Sequence, residues 1–254
     1  MSNAVYISSC IEINAAAPLS YAQTRSCFST EERYRQTIAT VNNLICHNPT
    51  ATIYVVDASE QYMRYATELP RVFPRCVFVP IRDMTAPAEY DLIRRHPNKS
   101  LGESLILRNF LVAYHQELQQ YDFLFKMSGR YLLTSTYQES VFTQDRLNQI
   151  FFKTPLSFEW NTAWGYDKVD LRHEEGHNRL NQYCSVFYGY GKHHLPTFTQ
   201  LYQGMASILK RPSMIHYDVE TLLYFLLNDY RTSIVTLPVQ VLGWQGPDGK
   251  FLLY

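Results

Sequence analysis

The chain has 254 residues, of which 46% are hydrophobic and 18% are charged. This composition excludes a disordered chain, because disordered segments are poor in apolar residues and rich in net charge. Its 23 basic and 23 acidic side chains balance, whereas proteins that bind nucleic acid usually carry a basic excess. We therefore expect one large domain, or one domain with a small addition, and no nucleic acid as its main partner.

Five cysteines are scattered along the chain without a CxxC pair, at Cys10, Cys27, Cys46, Cys76 and Cys184. An odd number at irregular spacing argues against a disulfide framework and against a cysteine zinc site. The first residues lack a basic region that leads into an apolar stretch, so no signal peptide is expected. No apolar run approaches the roughly 18 residues needed to span a bilayer. These features predict a protein that is cytoplasmic, or on the inner face of a membrane, with reduced thiols and no transmembrane segment.

Strands and helices alternate with short connections in the first part of the chain. The predicted elements are a strand at Val5–Ile13, a helix opened by the capping box Ser29–Glu32, a strand at Ala51–Val56, a short helix at Tyr62–Leu69, a strand at Cys76–Pro80, a helix of about 18 residues opened by a second capping box at Ser100–Glu103, and a strand at Tyr121–Met127. This order predicts a parallel α/β sheet. After residue 150 the pattern is mixed, with helices expected at Thr197–Leu209 and Val219–Leu227 and a strand at Thr232–Leu237.

Polar side chains follow several of the predicted strands, where ligands of open α/β sheets bind. They are Arg25 in the loop after the first strand, Asp57 and Ser59 after the second, and Lys126, Ser128 and Arg130 around the end of the fourth. We expect these groups to converge at one edge of the sheet, and the basic pair around Gly129 leaves room for a phosphate to approach the backbone. The alternative is that they are ordinary solvated loop tips.

The residues in this order resemble a known family. A strand that ends in Asp57, then Asn98-x-x-x-Gly102 with Arg108-Asn109, then a strand that ends in a polar turn resembles the nucleotide-sugar glycosyltransferases of the GT-A fold. The stretch Arg25-Ser-Cys-Phe-Ser-Thr-Glu-Glu-Arg33, with Lys126-Met-Ser-Gly-Arg-Tyr131, also resembles glycosyltransferase-like proteins from bacterial surface-polysaccharide loci. The resemblance covers roughly residues 5–135.

The resemblance implies a GT-A-like, mostly parallel α/β sheet flanked by helices. Residues 1–135 would be the nucleotide-sugar-binding half, and residues 136–254 the acceptor-side half of the same domain. The implied activity moves a sugar from a nucleotide-sugar donor to a glycan or lipid-linked glycan acceptor. The donor-binding residues that it implies are Arg25, Asp57, Ser59, Gly102, Arg108, Lys126 and Ser128.

One departure from the family concerns metal binding. Where the family places Asp-x-Asp, which holds a divalent cation on the leaving diphosphate, this chain has Ser128-Gly129-Arg130. An arginine supplies part of that charge through bidentate hydrogen bonds to phosphate. We therefore predict that Arg130, helped by Lys126, replaces the metal and that no cofactor is needed. One alternative is that Arg130 pairs with a local carboxylate, Glu103 or Asp122, and is structural. Another is that the protein binds its ligand without catalysing a reaction.

A catalytic base is predicted at the start of a helix in the second half. Asp218 is a candidate helix cap and Glu220 an acid of the first turn, which by itself only compensates the helix dipole. The resemblance implies that one of them takes the proton of the acceptor hydroxyl. Glu220 is the first choice and Asp218 the second.

Other residues give weaker indications. His173 and His177 stand four residues apart, but Gly176 weakens any helix there, so no metal site is predicted. The rings of Trp160, Trp164 and Tyr166 are a candidate acceptor platform. An α/β hydrolase or a nucleotidyl enzyme is disfavoured, because the chain has neither Gly-x-Ser-x-Gly nor a P-loop. The stereochemistry of transfer stays open.

Overall fold

The structure is a computed structural model that describes residues 1–14, 17–20, 22–159, 179–214 and 217–254. Several residues singled out in the sequence lie outside these ranges, namely Trp160, Trp164, Tyr166, His173 and His177. No helix within the ranges combines the length and the apolar character that crossing a membrane requires.

The described residues form strands and helices that alternate as far as residue 128. The strands are β1 (Asn3–Ser9), β2 (Thr52–Asp57), β3 (Cys76–Pro80), β4 (Phe123–Ser128), β5 (Tyr131–Leu133), β6 (Ile150–Phe152), β7 (Leu156–Glu159), β8 (Arg179–Gln182), β9 (Phe187–Gly191), β10 (Ile234–Thr236), β11 (Val241–Trp244) and β12 (Phe251–Leu253). The α-helices are α1 (Thr30–His47), α2 (Met63–Val72), α3 (Pro87–Arg95), α4 (Lys99–Ala113), α5 (His115–Leu118), α6 (Leu195–Leu209) and α7 (Val219–Leu226).

A seven-stranded sheet in the order β10-β6-β9-β4-β1-β2-β3 forms the centre of the molecule. Strands β1 to β4 are mutually parallel, and β10 is parallel to β6, whereas β9 runs antiparallel to both β4 and β6. Strands β1, β2 and β4 are buried along nearly their whole length, as expected for parallel strands covered on both faces. The predicted mostly parallel α/β sheet is confirmed.

Two smaller sheets flank the large one. Strands β12, β11 and β5 form an antiparallel sheet, and β7 pairs with β8 in an antiparallel hairpin. The short strand β5 directly follows the end of β4. It therefore connects the carboxyl edge of the large sheet to the C-terminal residues.

The predicted helix starts have different outcomes. The capping box of α1 is present, with Ser29 and Glu32 each accepting from the other's backbone N–H. The second predicted box is wrong, because Asn98 caps α4 by accepting from the backbone N–H of Ser100 at 2.7 Å. The predicted long helix is also divided at Tyr114 into α4 and α5. The first strand is shorter than predicted: it ends at Ser9, and the chain then turns so that the N–H of Ile11 donates to the carboxylate of Asp57, the last residue of β2.

The core has one apolar cluster on each face of the large sheet. On the face covered by α4 and α6, four buried tyrosines join β1, β9 and α6. The hydroxyl of Tyr6 lies 3.2 Å from that of Tyr190, and the hydroxyl of Tyr188 bonds to that of Tyr202. Burial raises the pKa of all four hydroxyls. The phenols therefore satisfy one another inside an otherwise apolar layer.

Candidate functional site

Two adjoining cavities lie at the carboxyl ends of β1 and β4. Their volumes are about 120 Å³ and about 710 Å³. Four residues line both of them, namely Lys99, Glu103, Ser128 and Arg130. A ligand that spans the two cavities would pass over these four side chains.

Arg130 lies between the cavities, in the turn that joins β4 to β5. Arg130 is only 9% exposed, and its Nε has no hydrogen-bond partner among the described residues. The two carboxylates considered as its partners are engaged elsewhere, Glu103 with Lys126 and Asp122 with Lys192. Burial lowers the pKa of Arg130, but a guanidinium keeps its charge in proteins. A buried cation with an unused N–H is a binding group for an anion.

More cations surround the smaller cavity. The guanidinium of Arg33, on the first turn of α1, donates to the carbonyl of Cys10, from its Nε at 2.9 Å. Arg25 donates to the carbonyls of Ala17 and His96. The acceptors of these hydrogen bonds are neutral carbonyl oxygens. Burial and then Arg130 lower the pKa of Arg33 to about 10.

Lys99 adds a further charge at the boundary of the two cavities. It occupies the first position of α4, where a positive side chain opposes the helix dipole. The residue is exposed to solvent and lines both cavities. Desolvation of its ammonium, and then the charge of Arg130, lower the pKa of Lys99 to about 8. A lysine at this position destabilises α4, which is compatible with a role in binding an anion.

Lys126 lies behind the residues of the cavity wall and lines neither cavity. It is fully buried, and its Nζ donates to Ser128 Oγ at 2.8 Å and to the carbonyl of Ser185 at 2.6 Å, while pairing with Glu103 Oε1 at 2.6 Å. All three ammonium N–H groups are therefore used. Lys126 therefore holds Glu103 and Ser185 in position.

Glu220 lines the larger cavity and Asp218 does not. Asp218 caps α7, where its carboxylate accepts from the N–H of Thr221 at 2.7 Å and from Gln182 Nε2 at 2.8 Å. Glu220 accepts a hydrogen bond from Ser185 Oγ. Burial, and then the charge of Asp218, raise the pKa of Glu220 to about 7. A carboxyl that titrates near neutral pH is suited to proton transfer.

Asp57 and Ser59 hold the loop after β1 and do not line either cavity. Asp57 is fully buried, and its carboxylate accepts from the N–H groups of Ile11 at 2.9 Å and Ser59 at 2.8 Å. Ser59 Oγ accepts from the N–H of Glu12 at 2.8 Å. These bonds fix the backbone that forms one wall of the smaller cavity.

Two other predicted donor-binding residues lie on α4. Gly102 lines the smaller cavity, and a Cβ there would stand 2.8 Å from the carbonyl oxygen of Ile93, so the glycine allows α3 and α4 to pack closely. Arg108 lies two turns further along and pairs with Glu89 of α3. It joins the two helices and lines neither cavity.

Sequence reasoning missed several groups of the site. The cations among them are Arg33, Arg94 and Lys99, and the others include Glu103, Gln182, Ser185 and the loop 245–248. Two signals were present in the sequence. Arg33 belongs to the buried stripe of α1 with Thr37, Val41 and Leu44, and a basic residue in such a stripe is anomalous. Lys99 is a basic residue in a helix's first turn.

The described residues do not fit a divalent cation. No group of three or more histidine, cysteine, aspartate or glutamate side chains in the described ranges is arranged to hold a metal. At the end of β4 the cavity wall presents Ser128 and the cation Arg130. Glu103, the one carboxylate among the described residues that line the smaller cavity, is paired with the ammonium of Lys126. A hard cation requires oxygen ligands and is repelled by neighbouring positive charge.

Comparison with known proteins identifies the fold. No protein-family model matches the chain, and no curated protein sequence matches it. The mannosyltransferase Ktr4p from S. cerevisiae is similar in structure, with a TM-score of 0.54 and 11% identity over 93% of this chain and 69% of that one. Core-mannan synthase A (CmsA/Ktr4) from Aspergillus fumigatus, in its Mn/GDP form, gives a TM-score of 0.48 and 12% identity over 94% of this chain and 74% of that one.

Because the identity is low, the structural similarity to Ktr4p establishes the fold alone. The chain has the GT-A fold of glycosyltransferases, with a seven-stranded, mostly parallel sheet flanked by helices. The two cavities occupy the carboxyl edge of that sheet, where ligands of open α/β folds bind.

Proposed function

We propose that the chain is a glycosyltransferase that moves a sugar from a nucleotide-sugar donor to a glycan or lipid-linked glycan acceptor in polysaccharide biosynthesis. The observation that carries this proposal is Arg130, a buried cation with an unused N–H between two cavities. Phosphate oxygens are the partners that such a guanidinium binds most strongly. The GT-A fold supports the proposal, because enzymes that use nucleotide sugars have it.

In this proposal the donor diphosphate lies in the smaller cavity and its sugar at the opening of the larger one. Arg130 and Lys99 balance the negative charge that grows on the diphosphate as the bond to the sugar breaks. Glu220, on the acceptor side, takes the proton of the attacking hydroxyl. Lys99 replaces Lys126 as the second cation, because the ammonium of Lys126 is fully used inside the wall.

The proposed reaction proceeds without a divalent metal. Support comes from the cations that surround the smaller cavity and from the absence of an acidic cluster within the described residues. Two fixed positive charges at the diphosphate would serve the purpose that a metal ion serves in Asp-x-Asp enzymes.

Thermal-shift measurements test the binding step. GDP-mannose, UDP-glucose, UDP-galactose and UDP-N-acetylglucosamine are each added in EDTA and, separately, with Mn²⁺; the mannose donor is included because Ktr4p is a mannosyltransferase. At 100 times its Kd a ligand stabilises the native state by about 2.7 kcal/mol. For a chain of this size that corresponds to a rise in Tm of roughly 5 to 10 °C. We expect one donor to give this rise in EDTA. A rise only with Mn²⁺ would refute metal independence, and no rise with any donor would refute the function.

Replacing Arg130 tests the diphosphate contact. Arg130→Met removes a charge-assisted interaction worth about 1.5 to 3 kcal/mol where charge develops, so turnover should fall by roughly 10- to 100-fold or more. The control is Arg35→Met, since Arg35 is an exposed cation of α1 whose side chain is 76% accessible. Release of nucleoside diphosphate from the donor measures both. Equal rates in the two variants would remove Arg130 from the site.

A protein that binds the donor without turnover is the second candidate. It is favoured by one observation, the presence of Ser128-Gly129-Arg130 where the family carries Asp-x-Asp. The same measurements separate the two functions, because a binding protein shows the thermal shift but releases no nucleoside diphosphate.

A further inference from the structure

Glu103 occupies the boundary between the two cavities. The residue lines both of them, and its side chain is 18% exposed. Oε1 is held by Lys126 Nζ at 2.6 Å and by Ser8 Oγ at 3.4 Å. No group of the described residues donates to Oε2, and Oε2 is not among the buried polar atoms that lack a partner. One oxygen is therefore anchored and the other is open to the cavities.

The charge of Glu103 is unusual for its surroundings. Burial raises its pKa, but Lys126 and Lys99 outweigh burial and hold the pKa below its usual value, so the group is ionised at neutral pH. It is the only carboxylate among the described residues that line the smaller cavity, whose cations are Arg25, Arg33, Arg94, Lys99 and Arg130. An anion beside a diphosphate weakens binding by repulsion. It is useful where positive charge develops, and in sugar transfer that place is the anomeric carbon.

Glu103 and Glu220 are connected through a common support. Lys126 pairs with Glu103 and donates to the carbonyl of Ser185, and Ser185 Oγ donates to Glu220. Glu103 stands at the boundary near the phosphate-binding cations, whereas Glu220 lines only the larger cavity. Two carboxylates in contrasting environments are the usual way in which one site divides nucleophile and acid–base roles.

We propose that Glu103 is a second catalytic carboxylate, whose Oε2 attacks the anomeric carbon of the donor sugar, so that transfer retains the anomeric configuration. This inference rests on the proposed function. In the first step a bond forms between Oε2 and the anomeric carbon, and the bond from that carbon to the diphosphate oxygen breaks, its electron pair leaving with the nucleoside diphosphate. In the second step the acceptor hydroxyl gives its proton to Glu220, its oxygen bonds to the anomeric carbon, and the bond to Oε2 breaks. Two inversions give net retention.

The stereochemistry of the wild-type protein is the first test and needs no variant. The donor from the thermal-shift panel is incubated without acceptor, so that water takes the sugar. Proton NMR recorded immediately after mixing identifies the anomer released. We expect the anomer of the donor. Release of the opposite anomer overturns the proposal.

Two variants give the second test. Glu103→Gln keeps the shape but removes the charge, and Glu103→Asp keeps the charge for Lys126 but withdraws the oxygen from the cavity. Donor hydrolysis should fall at least 100-fold in both, while the affinity for the corresponding nucleoside diphosphate, measured by calorimetry, changes less than threefold in Glu103→Asp. Glu31→Gln, on the exposed start of α1, is the control with wild-type rates.

The outcomes separate this proposal from the one on which it rests. Wild-type hydrolysis rates in Glu103→Asp, or donor binding without any turnover, overturn the role of Glu103 and leave donor binding standing. If no nucleotide sugar binds the wild-type protein, both proposals fall.

Discussion

Glu220 is the residue whose protonation state most directly links the site to stability. Burial and Asp218 raise its pKa to about 7 from the ordinary 4.5. Between these two values the unfolded chain binds fewer protons than the native protein, so the free energy of unfolding falls as pH rises through this range. The ionised form that a base requires is thus the form that the fold disfavours.

The variant Glu220→Gln should therefore change the pH dependence of stability. A glutamine cannot ionise, so the variant lacks this loss of stability. The Tm of the variant minus the Tm of wild type should therefore be larger at pH 8 than at pH 5. Differential scanning calorimetry at the two pH values measures this, with Glu31→Gln as the exposed control. A difference in Tm that is equal at both pH values would contradict the raised pKa.

Asp57 offers a second prediction for a single residue. Its carboxylate satisfies two backbone N–H groups, those of Ile11 and Ser59. Leaving a buried donor unpaired costs about 1 to 3 kcal/mol, so Asp57→Ala should lower the free energy of unfolding by roughly 2 to 5 kcal/mol in urea titrations. Ser59→Ala, which removes one acceptor of a backbone N–H, should cost less. Unchanged stability with weaker nucleotide binding would instead support the donor-binding role predicted from the sequence.

Among the elements, α4 places more of the site than any other described helix. Its cap is Asn98, which accepts from Ser100 N–H and donates through Nδ2 to the carbonyl of Tyr217 at 2.9 Å. The cap thus fastens the start of α4 to the segment before α7. Because Asn98 takes the capping role, Glu103 does not turn back on its own helix and is available to the sheet edge.

Replacing each of the two candidate caps with alanine tests this arrangement. Asn98→Ala should lower the free energy of unfolding by at least about 1 kcal/mol, the usual cost of losing a cap, with more for the lost bond to Tyr217. Ser100→Ala should be nearly neutral, since its hydroxyl is not the cap. Urea unfolding of both variants gives the comparison. A larger loss in Ser100→Ala would restore the capping box that the sequence suggested.

The two capping boxes also show what a sequence can and cannot reveal about an element. Ser29 with Glu32 was predicted correctly, because the residues before Ser29 offer no competing cap with a helix behind it. At Ser100 the same pattern failed, because Asn98 stands two residues earlier and is also a strong cap. A local pattern decides a boundary only where nothing nearby competes.

At the scale of the molecule, the sequence predicted the first half of the sheet but only β10 of the second half, which lies inside the strand predicted at Thr232–Leu237. Strands β1, β2 and β4 are apolar runs separated by helices, which a pattern can identify. Strand β9 runs in the opposite direction between β4 and β6, and β6 and β10 have three residues each. Such pairing depends on contacts distant in sequence, which no local pattern contains.

The candidate site shows the same division. The rule that ligands bind at strand ends located Ser128 and Arg130 in the cavity walls. It passed over Lys99 and Arg33, because these lie on the first turns of helices that only the folded sheet brings to the same edge. Lys126 shares a face of β4 with Ser128, but its ammonium is covered by Glu103, Ser128 and Ser185 and therefore does not reach either cavity.

The buried tyrosines between β1, β9 and α6 have an optical consequence. Their phenols stay protonated while the layer is closed, since burial raises the pKa of all four hydroxyls. In alkaline solution their phenolate absorbance should therefore appear only when the sheet and α6 separate, in one step with the loss of circular dichroism. Stopped-flow mixing into alkali would then time the opening of this layer with an intrinsic chromophore and no added dye.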